Sequence, residues 1–340
     1  MALTAQTNST LHDIAQIFGA DYNRTFALCG HVSPDGDCLG SQLALAHVLL
    51  ALGKEVALLL VKDDPIDAKL KFLPGSEWFA PAMTVAGEKK VFDVFVALDV
   101  PMRSRIGEAA CALLDNARDS VTIDHHAAPV AMTKHAYVDP GAASTTMLVW
   151  ELSKLLMDKP PIEAALCAYT GLVTDTGCFQ YQNTDANALR VAADLVERGV
   201  EPARVTREIM QNHSLASVKL EALAAARMKL MDCGRTALSW VTADDMRACA
   251  ATKEDADGVV NMLRGIRGVR VACALREQNG EIRGNLRSKD ETDVSVLAQQ
   301  FGGGGHAGAA GFSLDCSMEE AIDKVSALLS ALFVDEKDAC

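Results

Sequence analysis

Ten cysteines are scattered over 340 residues with no C-x-x-C pair and no regular spacing. That pattern excludes a small disulfide-stapled fold and reads as reduced, mostly buried thiols of a cytoplasmic protein. No run of about eighteen apolar residues occurs, so no membrane span is expected. The opening M-A-L-T-A-Q-T-N-S-T has neither a basic start nor an apolar core, so no export signal is expected either. Basic residues are in the minority: 32 Lys and Arg face 45 Asp and Glu, a net charge of -13. This argues against an extended basic surface for long duplexes, although bound metals or a local basic patch would still admit short anionic ligands. Aromatic residues make up only 5%, which leaves few stacking platforms for tracking along a single strand. The glycine-rich run near residue 305 is not followed by G-K-[ST], so it is not a Walker loop.

What is present is an ordinary globular composition, 49% hydrophobic and 23% charged. The length exceeds the usual single-core range and predicts two domains. From Thr25 onward, short apolar runs alternate with helical patterns. Strands are expected at 26–30, 55–61, 94–98 and 120–123, and helices at 39–53, 143–157, 161–173 and 185–198. The fold class that follows is α/β, with a mainly parallel doubly wound sheet over 1–190. Residues 191–233 read as a helical connector. Residues 234–340 read as a smaller mixed α/β domain, with a strand pair across Q-N-G and a glycine-rich loop at 302–311.

Two clusters carry the chemistry. His31, Asp35 and Asp37 fall within H-V-S-P-D-G-D, and Asp124, His125 and His126 fall within V-T-I-D-H-H. Each follows a short β-like run and joins imidazole nitrogen to carboxylate oxygen, a donor set that suits Mn, Zn, Fe or Co. Asp99 ends V-F-V-A-L-D, and Asp175 lies in G-L-V-T-D-T-G. An acid directly after a buried strand is costly unless paired or metal-bound. Ligands of doubly wound sheets bind beyond the carboxyl ends of the strands, so these distant residues are expected to converge. Pro34 and Gly36 favour a sharp turn that aims Asp35 and Asp37 at adjacent ions. A carboxylate-rich site for two metals is a standard means of hydrolysing phosphate esters. His47 reads as a packing residue, and His12, His135 and His213 as surface residues. Arg103 and Arg105, just after Asp99, are within reach of a phosphate contact.

The four motifs H-V-S-P-D-G-D-C-L-G-S, V-A-L-D-V, T-I-D-H-H and G-L-V-T-D-T-G resemble, in order, those of the DHH phosphoesterases. F-G-G-G-G-H-A-G-A-A-G is similar to the glycine-rich signature of that family's associated C-terminal domain. The resemblance spans residues 31–311. It implies two Mn2+ ions, with Mg2+ or Co2+ as alternatives. One would be held by His31, Asp35 and Asp99, the other by Asp37, Asp99, His125 and Asp175, with Asp99 bridging. Asp124 would orient a histidine, and His126 would meet the substrate phosphate or the leaving group. Hydrolysis would proceed by a hydroxide activated between the metals. Cys38 departs from the alanine more often expected at its position.

The region 264–289 holds seven Lys and Arg against two acids. Within it the resemblance implies a substrate contact at Arg287 with Ser288, joined by Gly304, Gly305 and His306, while Arg105 would serve from the first domain. The two-domain layout resembles the NrnA type, which implies action on short oligoribonucleotides and on 3′-phosphoadenosine 5′-phosphate. Alternatives are a phosphodiesterase of cyclic or linear dinucleotides (c-di-AMP or pApA) and, from another class, a nucleotide-binding regulator with an inactive site. The partners expected are short single-stranded RNA, mononucleotides or dinucleotides, with no membrane. A homodimer is the family-based expectation.

Overall fold

In the run V-F-V-A-L at 94–98 every side chain is buried, the condition of a strand covered on both faces inside a parallel sheet. The computed structural model describes residues 7–63, 65–127, 130–278 and 280–333, and the chain divides into two units, Met1–Asn212 and His213–Cys340. The first unit begins α1 (Leu11–Gly19), β1 (Thr25–Cys29), α2 (Gly36–Ala51), β2 (Glu55–Leu60), β3 (Phe79–Pro81) and α3 (Ala82–Gly87). It continues β4 (Val94–Leu98), α4 (Gly107–Asn116), β5 (Asp119–Asp124), β6 (His135–Val138), α5 (Thr145–Leu156), α6 (Ile162–Asp175), α7 (Ala186–Glu197) and α8 (Pro202–Met210).

Its six strands lie in the order β3-β2-β1-β4-β5-β6, and every pair is parallel. From β1 the chain winds outward to β2 and β3, then returns to the other side of β1 with β4, so the order reverses between β1 and β4. The doubly wound α/β fold expected from the sequence is thus the fold observed. Side chains alternate between two cores as the period of a strand requires. Phe26, Leu28, Val94, Val96, Leu98, Val121 and Ile123 face one core with α2, α5 and α6. Ala27, Cys29, Phe95 and Ala97 face the other with α3 and α4. Each large apolar side chain so buried contributes roughly 1.5–3 kcal/mol.

Helix α2 is buried from Gly36 through Ala46, and its glycines let it approach α6 closely. A Cβ at Gly40 would lie 2.7 Å from the Cys167 carbonyl, and one at Gly36 would lie 2.4 Å from Thr174 Oγ1.

The second unit runs α9 (Leu215–Arg227), β7 (Lys229–Met231), β8 (Thr236–Val241), α10 (Ala243–Cys249), α11 (Gly258–Arg264), β9 (Val271–Gln278) and β10 (Glu281–Ser288). It closes with α12 (Val294–Gln299), β11 (Gly304–His306), β12 (Ala309–Leu314) and α13 (Met318–Ser330). The sheet order is β11-β12-β10-β9-β8-β7, with β8 and β9 parallel and the other pairs antiparallel.

Two features differ from the sequence reading of this part. The glycine-rich stretch is a strand pair rather than a loop. Gly303 and Gly305 are required by close backbone approach, since their Cβ atoms would lie 2.1 Å from the Gly311 carbonyl and 2.5 Å from the Ala309 carbonyl. The expected connector at 191–233 is shared between the units. Val191, Ala192 and Leu195 of α7 and Val205 of α8 join the first unit's core, whereas Leu220 and Ala224 of α9 join a core of the second. The Asn of Q-N-G lies outside the described residues.

Among the described residues eight cysteines are free thiols. Cys233 is disulfide-bonded, which corrects the reading of all ten as reduced, because sequence spacing does not report which side chains meet in space. Among the described residues no helix is long and apolar enough to cross a membrane.

Candidate metal centre

His31 follows β1, Asp99 follows β4, and Asp124 with His125 ends β5. The sheet therefore delivers these residues to the carboxyl ends of three neighbouring strands, at the point where strand order reverses. Asp99 adopts φ 57°, a left-handed conformation uncommon for a residue with a Cβ. Held there, its two oxygens face different histidines: Oδ2 is 3.4 Å from His31 Nε2, and Oδ1 is 3.6 Å from His125 Nε2.

His125 is the hub of the second group. Besides Asp99, its Nε2 lies 3.6 Å from Asp175 Oδ2 and 4.0 Å from Asp37 Oδ2. Its Nδ1 is 3.2 Å from the Ala142 carbonyl, an acceptor that leaves Nε2 as the lone-pair nitrogen. His31 is arranged likewise, with Nδ1 2.9 Å from the Val32 carbonyl. Among the described residues three sets of donor atoms come close enough to hold an ion: His31, Cys38 and Asp99; Asp99, His125 and His126; and Asp37, His125 and Asp175.

Asp35 stands somewhat apart. Its Oδ1 caps α2 by accepting from the backbone N–H groups of Asp37 and Cys38 at 3.1 and 3.0 Å. Its Oδ2 is 3.8 Å from His31 Nε2. Asp124 is fully buried and orients His126: Oδ1 accepts from the His126 backbone N–H at 3.0 Å and lies 2.8 Å from its Nδ1. Arg105 reaches the edge of the site, Nη2 3.4 Å from His31 Nδ1.

The sequence reading missed the groups that fix these acids. The first backbone N–H groups of α5 grip Asp37, with Thr145 N donating to Oδ2 at 2.6 Å and Thr146 N to Oδ1 at 2.9 Å. The Thr145 hydroxyl donates to Asp99 Oδ1 at 3.1 Å. A helix N-terminus suits a carboxylate because its N–H groups lack intrahelical acceptors. Gly171 of α6 makes room for this arrangement, since a Cβ there would lie 2.3 Å from Thr146 Cγ2 and 2.9 Å from Asp37 Oδ1. Asn183 donates to the Ala143 and Asp175 carbonyls at 3.0 and 3.1 Å. Ser-Thr-Thr before an apolar run signals only a helix start, and nothing in it foretells Asp37 as its acceptor.

The electrostatics ask for cations. Burial pushes Asp37 well above the ordinary carboxylate range, and the charges of Asp99 and Asp175 push it further. Burial also lifts Asp175, to about 7, with His125 opposing. Asp99 goes the other way: burial would raise it, but His31, His126 and His125 together hold it low. Burial would lower both imidazoles, yet Asp35 and Asp99 lift His31 to about 10, and Asp37, Asp175 and Asp99 lift His125 to about 9. Like carboxylates crowded out of water cannot all ionise alone. Divalent ions remove the conflict, and imidazole nitrogen with carboxylate oxygen is the donor chemistry they take.

In the second unit, Arg287 Nη1 donates to the Leu286 carbonyl at 2.9 Å. Ser288 is buried and donates to the Asp290 carbonyl at 2.8 Å. Gly304 faces open space, nothing lying within 4 Å of its would-be Cβ, whereas Gly305 packs against β12. The side chain of His306 lies outside what the structure describes.

Both units are similar to known proteins. The DHH family N-terminal domain matches residues 25–172, and the DHHA1 domain matches residues 247–335. The chain is 32% identical over 297 residues to the bifunctional oligoribonuclease and PAP phosphatase NrnA of Thermus thermophilus, covering 87% of this chain and 86% of that one. It is 27% identical over 311 residues to the protein of the same name from Bacillus subtilis, covering 91% and 94%. Among solved structures, an exopolyphosphatase-related protein from Bacteroides fragilis superposes with a TM-score of 0.89 at 27% identity, covering 99% of this chain and all of that one.

Proposed function

The chain belongs to the DHH family of phosphoesterases, and on that premise we propose that it hydrolyses short oligoribonucleotides and removes phosphate from 3′-phosphoadenosine 5′-phosphate, with Mn2+ as its metal. The observation that carries the reading is the meeting of Asp37, Asp99 and Asp175 around His125 Nε2. Support for the substrates comes from the relatives, whose names join these two activities.

In this reading His31, Asp35 and Asp99 would hold one ion, and Asp37, Asp99, His125 and Asp175 would hold the other. Bound divalent ions supply a water of lowered pKa and neutralise the charge that develops on phosphate. The chain's own groups do the rest. The N-terminus of α5 keeps Asp37 aimed inward, and the Thr145 hydroxyl does the same for Asp99. A carboxylate only accepts, so the bond to Asp124 assigns a proton to His126 Nδ1. With Nδ1–H so held, His126 would face the departing oxygen through Nε2, accepting there as the neutral ring and donating a proton only when the ring carries a second one, on Nε2. Arg105 offers its guanidinium to a phosphate oxygen. The first unit carries the chemistry. Arg287, Ser288, Gly304, Gly305 and His306 of the second unit hold the nucleotide.

Turnover with Mn2+ of 3′-phosphoadenosine 5′-phosphate, a diribonucleotide, a longer oligomer and a cyclic dinucleotide tests this. Release of phosphate from the first and cleavage of the second, with decline on the longer oligomer, is expected. Inactivity on both of the first two contradicts the proposal.

A further inference from the structure

Cys38 lies one residue past Asp37, in the first turn of α2, and its backbone N–H is fixed by Asp35 Oδ1 at 3.0 Å. The side chain is fully buried. Its sulfur lies within 4.8 Å of ligand atoms of both His31 and Asp99. Donors to a common ion sit at about 2.3 Å for sulfur and about 2.0–2.2 Å for nitrogen or oxygen, so their mutual distance cannot exceed roughly the sum of two such bonds. Of the trio, His31 Nε2 and Asp99 Oδ2 are 3.4 Å apart, well inside that limit.

The space around the sulfur is shaped for it. A Cβ on Gly30, at the end of β1, would lie 2.1 Å from Cys38 Sγ, so any larger residue would displace the thiol. Gln42 is 1% exposed and donates Nε2 to the Cys38 carbonyl at 3.1 Å, which fixes its amide orientation. The same Nε2 lies 3.7 Å from Sγ, so the sulfur receives an N–H. Gln42 Oε1 is buried without a hydrogen-bond partner among the described residues. An N–H directed at sulfur is a partner that a metal-bound sulfur commonly has, and the S–H itself is directed at the His31 carbonyl, 4.0 Å away, so this is the proton that a bound ion would displace.

We infer that Cys38 supplies a sulfur ligand to the ion held by His31 and Asp99, biasing that position toward thiophilic divalent cations such as Co2+, Zn2+ or Cd2+. The inference rests on the proposed metal site and adds the class of ion that one half of it prefers. On binding, the S–H bond breaks, the metal–sulfur bond forms from the sulfur lone pair, and the proton leaves to solvent. Soft thiolate favours these ions over Mg2+ and Mn2+, whose preference is for oxygen.

Absorption spectroscopy of the full chain titrated with Co2+ tests it without any substrate. Expected are visible ligand-field bands together with an intense near-ultraviolet sulfur-to-cobalt charge-transfer band. In Cys38→Ala the charge-transfer band should vanish while ligand-field bands remain, and in Cys38→Ser the same should hold. Competition should show Cys38→Ala losing about tenfold or more in Cd2+ affinity, the low end of what even an outer partner of a metal ligand costs, with Mn2+ affinity nearly unchanged. Ligand-field bands without charge transfer in the parent protein would overturn the sulfur ligand alone. A charge-transfer band that survives Cys38→Ala would overturn it as well, by assigning the band to another thiol. Absence of every cobalt band would overturn the metal site and this inference together.

Discussion

The two units each build a six-stranded sheet, and they treat charge in opposite ways. In the first unit Asp99 and Asp124 are buried at strand ends and Asp37 in the first turn of α2, with other carboxylates and imidazoles, not guanidinium groups, against them. In the second, charges meet guanidinium partners near the surface. Arg227 grips Asp245 through two bonds of 2.6 and 2.9 Å, Arg276 lies 3.3 Å from Asp257, and Arg270 pairs with Asp290. A surface ion pair is satisfied by its partner and by water and contributes little. A buried cluster of acids and imidazoles has no such outlet to water, and added divalent ions would satisfy it. The difference marks the first unit as the seat of metal chemistry.

The comparison breaks most visibly at Asp99. Asp99→Asn should cut turnover at least about a thousandfold, the scale seen when a group that stabilises transition-state charge is removed, and calorimetry should show Mn2+ binding weakened. Gly171→Ala comes next. Its Cβ would press on Thr146 and Asp37, so overpacking should cost about 1–3 kcal/mol of stability and Mn2+ affinity should fall with it. Differential scanning calorimetry with and without metal separates the two losses.

A finer distinction concerns Thr145. Thr145→Val removes the hydroxyl from Asp99 but keeps the backbone grip on Asp37. It should weaken metal binding about tenfold to a hundredfold at nearly unchanged melting temperature, and Thr145→Ser should restore it. The smallest effect belongs to the second unit. Bonds from Arg227, then from Thr242, hold Asp245 down at about 2. A carboxyl whose folded pKa is depressed stabilises the fold above its unfolded value and loses that contribution as pH falls, here from about 4 to about 2. Asp245→Ala should therefore cost about 1–2 kcal/mol near neutrality. The deficit should shrink in acid melts across that window, and Mn2+ binding should be unaffected.

Much of the first unit was legible because local pattern and burial agree there. V-F-V-A-L is a strand by composition and by place, and an acid directly after it can only lie at the sheet's carboxyl edge. Asp35 was legible as a turn acid, but its capping of α2 was not separated from a ligand's role, since both use the same carboxylate. Thr145 was invisible: its bond to Asp99 and its grip on Asp37 join residues 46 and 108 positions apart. Such a meeting is made by the packing of α5, not by local preference. Gly171 hid for the same reason, as its necessity appears only once α6 lies against α2 and α5. The strand at Gly304–His306 escaped because glycine is poor in strands, and here close approach to β12 overrides that preference.

The central claim is that the buried acids of the first unit hold two ions across Asp99. Anomalous diffraction from crystals of the Mn2+-loaded protein tests it most directly. Two peaks are predicted, one beside His31 and one beside His125, with Asp99 between them. A single peak, or none within reach of Asp99, would contradict the account.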